Sequence, residues 1–297
     1  MKRIIIAVVV CLYIGSMYAQ TPLWEGKGRI VISSDGNEHD HDDWAATPLS
    51  LALLSAAGLQ DNLVLYTYSD HIWGSNQAHP TSESGLNSYQ HMRESALKGA
   101  DYFGFNKTNF ICAVDNAITA YNAIRDEINK STLDNPLIII AAGPMQVVGE
   151  AINRSDKEKR KYVTLVSHST WNDIHSDTPG KKEWDEHTGW TFKEIQDEFG
   201  TLEGGKVNCI RILDQNGGED YVGLNAEITK FDWIKTSKAR KLYKKGAWDW
   251  LYTRLETCLK ENGKNFDPSD SGMIIYLLTG VEKTNPDMAR EIMENPK

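Results

Sequence analysis

Five carboxylates and two histidines fall between Asp35 and Asp43, in the stretch DGNEHDHDDW directly after the apolar run RIVIS. Carboxylates this close repel one another, and an opposite charge relieves the repulsion. Clustered carboxylates are hard oxygen donors, so the chemistry they suit is the binding of a cation such as Ca2+. A metal ion so held lowers the pKa of its water and makes a nucleophile near neutral pH. The plainer role is capping. Asp42 and Asp43 immediately precede a helical pattern, where a carboxylate contributes about 0.3 to 1 kcal/mol against the helix dipole. A single cap does not require five acids.

Two metal motifs fit poorly. An EF-hand loop begun at Asp40 would place Ala45 where glycine is needed and Leu51 where a bidentate glutamate is needed. HDHDDW is similar to the H-x-H-x-D-H motif of metallo-β-lactamases, but Trp44 stands in place of the last histidine. A dinuclear Zn2+ hydrolase is therefore the alternative to a calcium site.

The elements that must position these residues alternate along the chain. RIVIS, LVLYTYS, FICAVD, NPLIIIAAG, YVTLVSHS and KVNCIRILD read as strands. Between them lie helical patterns, including DWAATPLSLALLSAAG, NAITAYNAIRDEINKS, PMQVVGEAINRS with proline in its first turn, and TFKEIQDEFG. Continuous β-branched runs separated by helices predict an α/β fold, a mostly parallel sheet buried on both faces. The last third, from DWIKTSKARKLYKKGAWDW onward, predicts a helical C-terminal cap, with Trp248 and Trp250 packed inside it. Ligands of such sheets bind beyond the carboxyl ends of the strands. The loops there are SDGNEHDHDD, SDHIWGSNQAH, AAGPM, SHSTWNDIHSD and DQNGGED. Trp73 and Trp171 on these loops offer aromatic faces for stacking on a base or sugar.

The first 19 of 297 residues read as a signal peptide: a basic start at Lys2 and Arg3, an apolar run, and Ala19 before the cut. That predicts an exported protein, periplasmic or secreted, with residues 20–297 forming a single domain. The apolar run is shorter than the roughly 18 to 20 residues of a membrane span. The net charge of −9 becomes about −11 without Lys2 and Arg3, which argues against nucleic-acid partners. Cys112, Cys209 and Cys258 would remain, in two strands and a helix, and read as buried free thiols. Nothing in the sequence excludes a homo-oligomer.

With these residues in hand, the chain resembles the inosine/uridine-preferring nucleoside hydrolase superfamily, as a divergent exported branch. There the first strand runs into Asp-x-Asp-Pro-Gly-x-Asp-Asp and then a helix. SSDGNEHDHDDWAATPLSLALL is similar, with Ser33 in place of the first aspartate and three extra residues before Asp42. Asp35 matches the strand end, while Glu38 matches the spacing back from the Asp-Asp pair. GLNSYQHMRESALKGADYFGF resembles the family's helix after the second strand, PLIIIAAGPMQVVGEAI its middle segment, and PSDSGMIIYLL its last metal-binding segment.

The resemblance covers most of residues 28–280. It implies a Ca2+ held by Asp35, Asp43, the Ala142 carbonyl and Asp270, with Ser269 where the family often has histidine. It implies attack of a water on the anomeric carbon of a nucleoside- or sugar-like small molecule. Asp35 then serves as base and ligand, and Asp42 holds a sugar hydroxyl. Asn76, with Asp70 or His71 as rivals, and His168, Asn172 and Asp173 are the implied substrate-binding residues. His91 and His187 read as surface or packing histidines. The family's Glu-Phe-Asn sugar motif has no counterpart here. That leaves nucleosides and other glycosyl compounds open as substrates, and it leaves a non-catalytic calcium-dependent carbohydrate-binding protein as an alternative.

Overall fold

The computed structural model describes residues 21–36, 41–72, 83–173, 189–217, 222–261 and 266–297. The signal-like segment lies outside these residues, as do Glu38, His39, Asp40, Trp73, Asn76 and His187.

Six apolar runs form one sheet: β1 (Arg29–Ser34), β2 (Leu63–Tyr68), β3 (Asn109–Cys112), β4 (Leu137–Ala142), β5 (Val163–Ser167) and β6 (Asn208–Arg211). Every described pairing is parallel, and the strand order is β3-β2-β1-β4-β5-β6. Side chains alternate along a strand. Ile30 and Ile32 of β1 therefore join one apolar layer and Val31 the other. β3 is shorter than FICAVD suggests, because Ala113 to Asp115 turn away after Cys112.

Helices cover both faces. α2 (Glu83–Phe103) packs beside α1 (Asp43–Ala56) on one side of the sheet. The other layer takes residues of α3 (Ala117–Asn129), α4 (Gln146–Asn153) and α6 (Phe192–Phe199). A short α5 (Lys157–Arg160) precedes β5. Pro144 lies ahead of the α4 N-cap, Met145, rather than in its first turn. The 3-10 segments Ile228–Phe231 and Lys238–Leu242 flank a short α7 (Trp233–Thr236). α8 (Ala247–Glu261), α9 (Ser271–Thr279) and α10 (Pro286–Glu294) complete the cap. Trp248 and Trp250 are buried within it.

α1 is apolar around nearly its whole circumference, as a helix enclosed between sheet and cap must be. Pro48 inside it has no N–H to give the Trp44 carbonyl. The Ser95 hydroxyl donates to that carbonyl instead, at 2.8 Å, which ties α2 to the first turn of α1. Among the described residues no helix is long and apolar enough to cross a membrane. Cys112, Cys209 and Cys258 are free thiols, the first and last buried.

Candidate metal centre

The strand order reverses direction between β1 and β4, and ligands of open α/β sheets bind at such a point, beyond the carboxyl ends of the strands. Asp35 follows β1 directly, and Ala142 ends β4 in register with Ser34. Asp42 caps α1, and Asp43 is its first residue. Asp35, Asp42 and Asp43 each bring one carboxylate oxygen within 4.8 Å of the others. Asp35 is 3% exposed and Asp43 1%, while Asp42 is half-buried.

Backbone geometry holds this arrangement. The Asp35 amide donates to the Ala142 carbonyl at 3.1 Å, extending the sheet by one step. The Gly36 amide donates to Asp35 Oδ1 at 3.0 Å. Gly36 has φ +82°, a left-handed conformation, and a Cβ there would strike the Met92 sulfur. Gly143 lets β4 pass against Asp35, since a Cβ would lie 3.0 to 3.2 Å from Asp35 atoms. Ser69, at φ +56°, turns β2 back. Its amide donates to the Asp35 carbonyl at 2.9 Å, and the Asp70 amide donates to the Ser34 carbonyl at 3.0 Å. Asp42 accepts the Asp43 amide at 2.8 Å, so it both caps α1 and joins the cluster. The Ser34 hydroxyl donates to Asp43 Oδ2 at 2.8 Å.

Asp270 lies outside this group of three. It precedes α9, whose Ser271 hydroxyl docks on α1 by donating to the Ala46 carbonyl at 2.8 Å. Asp270 Oδ1 accepts from His168 Nε2 at 2.6 Å. On the other side of the ring, a protonated Nδ1 points to Asp214 at 3.5 Å, while in the neutral ring Nδ1 accepts from the Gln215 amide at 3.3 Å. Burial alone would lower the imidazole pKa, but the hydrogen bonds to Asp214 and Asp270 outweigh it and raise it to about 9. The bond to His168 holds Asp214 down at about 2. Buried at 3% exposure, His168 ties α9 to the loop after β6.

The remaining expected residues fall in different settings. Asn172 is buried. Asp173 takes the Arg211 guanidinium at 2.7 and 3.1 Å and the Phe192 amide at 2.8 Å, so it clasps β6 and α6. Trp171 is exposed beside them. Asp70 is wholly buried; burial pushes its pKa up to about 7 against the hydrogen bonds donated by Ser33 and Thr67. His91 packs on Trp44, bonded by the Arg254 guanidinium at 3.1 Å, as a packing residue.

Ser34, Gly143 and Asp214 were not singled out from the sequence. Asp214 lies in DQNGGED, a strand-end loop and so the right place to look, but nothing local distinguishes it. Ser34 becomes visible only once β1 is paired with α1.

No family model matches the chain. It is 31% identical over 267 residues to uncharacterized protein P22 of Formosa agariphila, an alignment covering 88% of this chain and 87% of that protein. Matching at that identity over nearly the full length of both, the chain belongs to the same family as protein P22 of Formosa agariphila.

Proposed function

We propose that this protein is an exported Ca2+-dependent hydrolase that cleaves an N-glycosidic or related glycosidic bond, on a nucleoside hydrolase-like fold. The observation that carries the reading is the Asp35, Asp42 and Asp43 cluster at the β1–β4 switch point. Two oxygens on one Ca2+, each about 2.3 to 2.6 Å from it, are at most about 5 Å apart. Oxygens within 4.8 Å of one another fit that bound. Among the described residues the group contains no imidazole or thiolate, and an all-carboxylate donor set favours Ca2+ over Zn2+.

Asp35 and Asp43 would hold the cation, with the Ala142 carbonyl and Asp270 as the further ligands that the family resemblance implies. When bound, the ion supplies Lewis acidity that polarises a water and neighbouring sugar hydroxyls. Asp35 takes the proton from the attacking water. Asp42, the half-buried member of the cluster, accepts a hydrogen bond from a sugar hydroxyl. The carboxylates favour the positive charge that develops on the sugar as the C–N or C–O bond breaks. Trp171, 44% exposed on the loop after β5, offers a stacking face to the base or a second ring. The acidic turn after β1 argues against a dinucleotide, whose phosphates need a glycine-rich turn there.

A calcium-stabilised carbohydrate-binding protein is the second reading. The lack of a counterpart to the Glu-Phe-Asn sugar motif of the resembled family favours it over nucleoside cleavage. A panel of nucleosides and glycosides, assayed with Ca2+ and with chelator, separates the two. Turnover that requires Ca2+ and is abolished in Asp35→Ala, with much of the ligand affinity kept, supports the hydrolase. Sugar binding by calorimetry without turnover of any substrate supports the binding protein.

A further inference from the structure

We propose that three buried hydroxyls, those of Tyr66, Thr47 and Ser34, form a hydrogen-bond chain that positions Asp43 to hold the cation. The inference rests on the assignment of Asp43 as a ligand and names residues that act only through it.

The chain follows from two periodicities. Ile32 pairs with Tyr66, so Tyr66 faces the α1 side of the sheet, and Ser34 lies two residues beyond Ile32 on that same side. Asp43 and Thr47 are four residues apart on α1 and share one face. The four groups therefore meet between strand and helix. Tyr66 Oη lies 2.8 Å from Thr47 Oγ1. Thr47 Oγ1 lies 3.4 Å from Ser34 Oγ, and Ser34 donates to Asp43 Oδ2 at 2.8 Å.

Only one direction of donation lets each hydroxyl use its single proton along this path. Tyr66 donates to Thr47, Thr47 to Ser34, and Ser34 to the carboxylate, which can only accept. Each donor polarises the next, which strengthens the last bond. Burial raises the Tyr66 pKa, so the phenol keeps its proton to donate. Tyr66, Thr47 and Ser34 are all essentially buried. The chain fixes Oδ2 of Asp43 with neutral donors and leaves the negative charge of the ligand intact. Outer partners of ligating groups orient them in this way, and losing one costs about 10- to 100-fold in metal affinity.

The test is Ca2+ affinity by calorimetry, with Tb3+ luminescence as a second readout, at a pH where every variant is folded by circular dichroism. Ser34→Ala is expected to weaken binding about 10- to 100-fold. Tyr66→Phe is expected to weaken it about 3- to 10-fold, the effect of one neutral hydrogen bond. The double variant should bind like Ser34→Ala alone, because Tyr66 acts through Ser34. Thr47→Val should match Tyr66→Phe, and Thr47→Ser should restore affinity. Wild-type affinity in Ser34→Ala and Tyr66→Phe, or losses that add in the double variant, would overturn the chain and leave the calcium reading standing. A wild-type protein that binds neither Ca2+ nor Tb3+ overturns both.

Discussion

The carboxyl end of the sheet gathers its acids in two ways. At β1 and α1, three aspartates converge within 4.8 Å, like charge against like charge. At β5, β6 and α9, acids alternate with a base, and His168 stands between Asp214 and Asp270. Each cluster has two buried members and one open to solvent, the half-buried Asp42 and the exposed Asp214, so burial alone does not distinguish them. Charge order does. An alternating cluster compensates its own charge, and Asp270 alone within it is an implied calcium ligand. A like-charged cluster is destabilised by its own repulsion, which a bound cation would relieve.

This contrast can be broken by substitution. The largest effect is expected at Asp43. Asp43→Asn should weaken Ca2+ binding at least about 100-fold, as loss of a direct ligand exceeds loss of an outer partner. Its melting temperature in chelator should equal or exceed that of wild type, because one repelling charge is gone. Calorimetry and thermal melts check both halves.

The alternating cluster should behave oppositely. His168→Asn leaves the buried Asp270 carboxylate without its partner, and breaking a buried pair costs about 3 to 5 kcal/mol in the calcium-free protein. The pH dependence carries the sign. The folded imidazole is raised to about 9 from 6.5. Its contribution is therefore fully present below pH 6.5 and is lost as pH rises through 9. Wild-type melting temperature should fall across that window, and the fall should be absent in His168→Asn.

A smaller effect is expected at Asp70. Its folded pKa is raised to about 7 from 3.8, so its contribution is present below pH 3.8 and is lost as pH rises through 7. Asp70→Asn keeps an acceptor for Ser33 and Thr67 and removes the charge. It should gain roughly 1 to 3 kcal/mol over wild type at pH 8, and less at pH 5. Denaturant melts at the two pH values read the difference.

The same contrast explains how much could be read from the chain. The parallel sheet was legible because buried strands such as LIIIAA are continuous apolar runs, and α1 because its pattern begins at an Asp-Asp pair. The like-charged cluster was legible too, since its members fall within nine residues of extreme composition. The alternating cluster was not. His168, Asp214 and Asp270 come from three distant loops, and only strand order brings them together. Asp173 was read as a sugar ligand because it follows a strand, but its Arg211 partner at the end of β6 cannot be paired with it from spacing. α10 went unread although Asn285 and Pro286 form a plain start signal, the cap accepting the Met288 amide at 3.1 Å.

Calcium titration of the purified, chelator-treated protein tests the central claim most directly. One equivalent of Ca2+ is expected by calorimetry and elemental analysis. A rise in melting temperature that chelator reverses and Asp43→Asn abolishes is also expected. At a free Ca2+ of 100 times the dissociation constant the stabilisation should be about 2.7 kcal/mol. Failure to bind Ca2+, or Zn2+ retained at one or two equivalents, would contradict that claim.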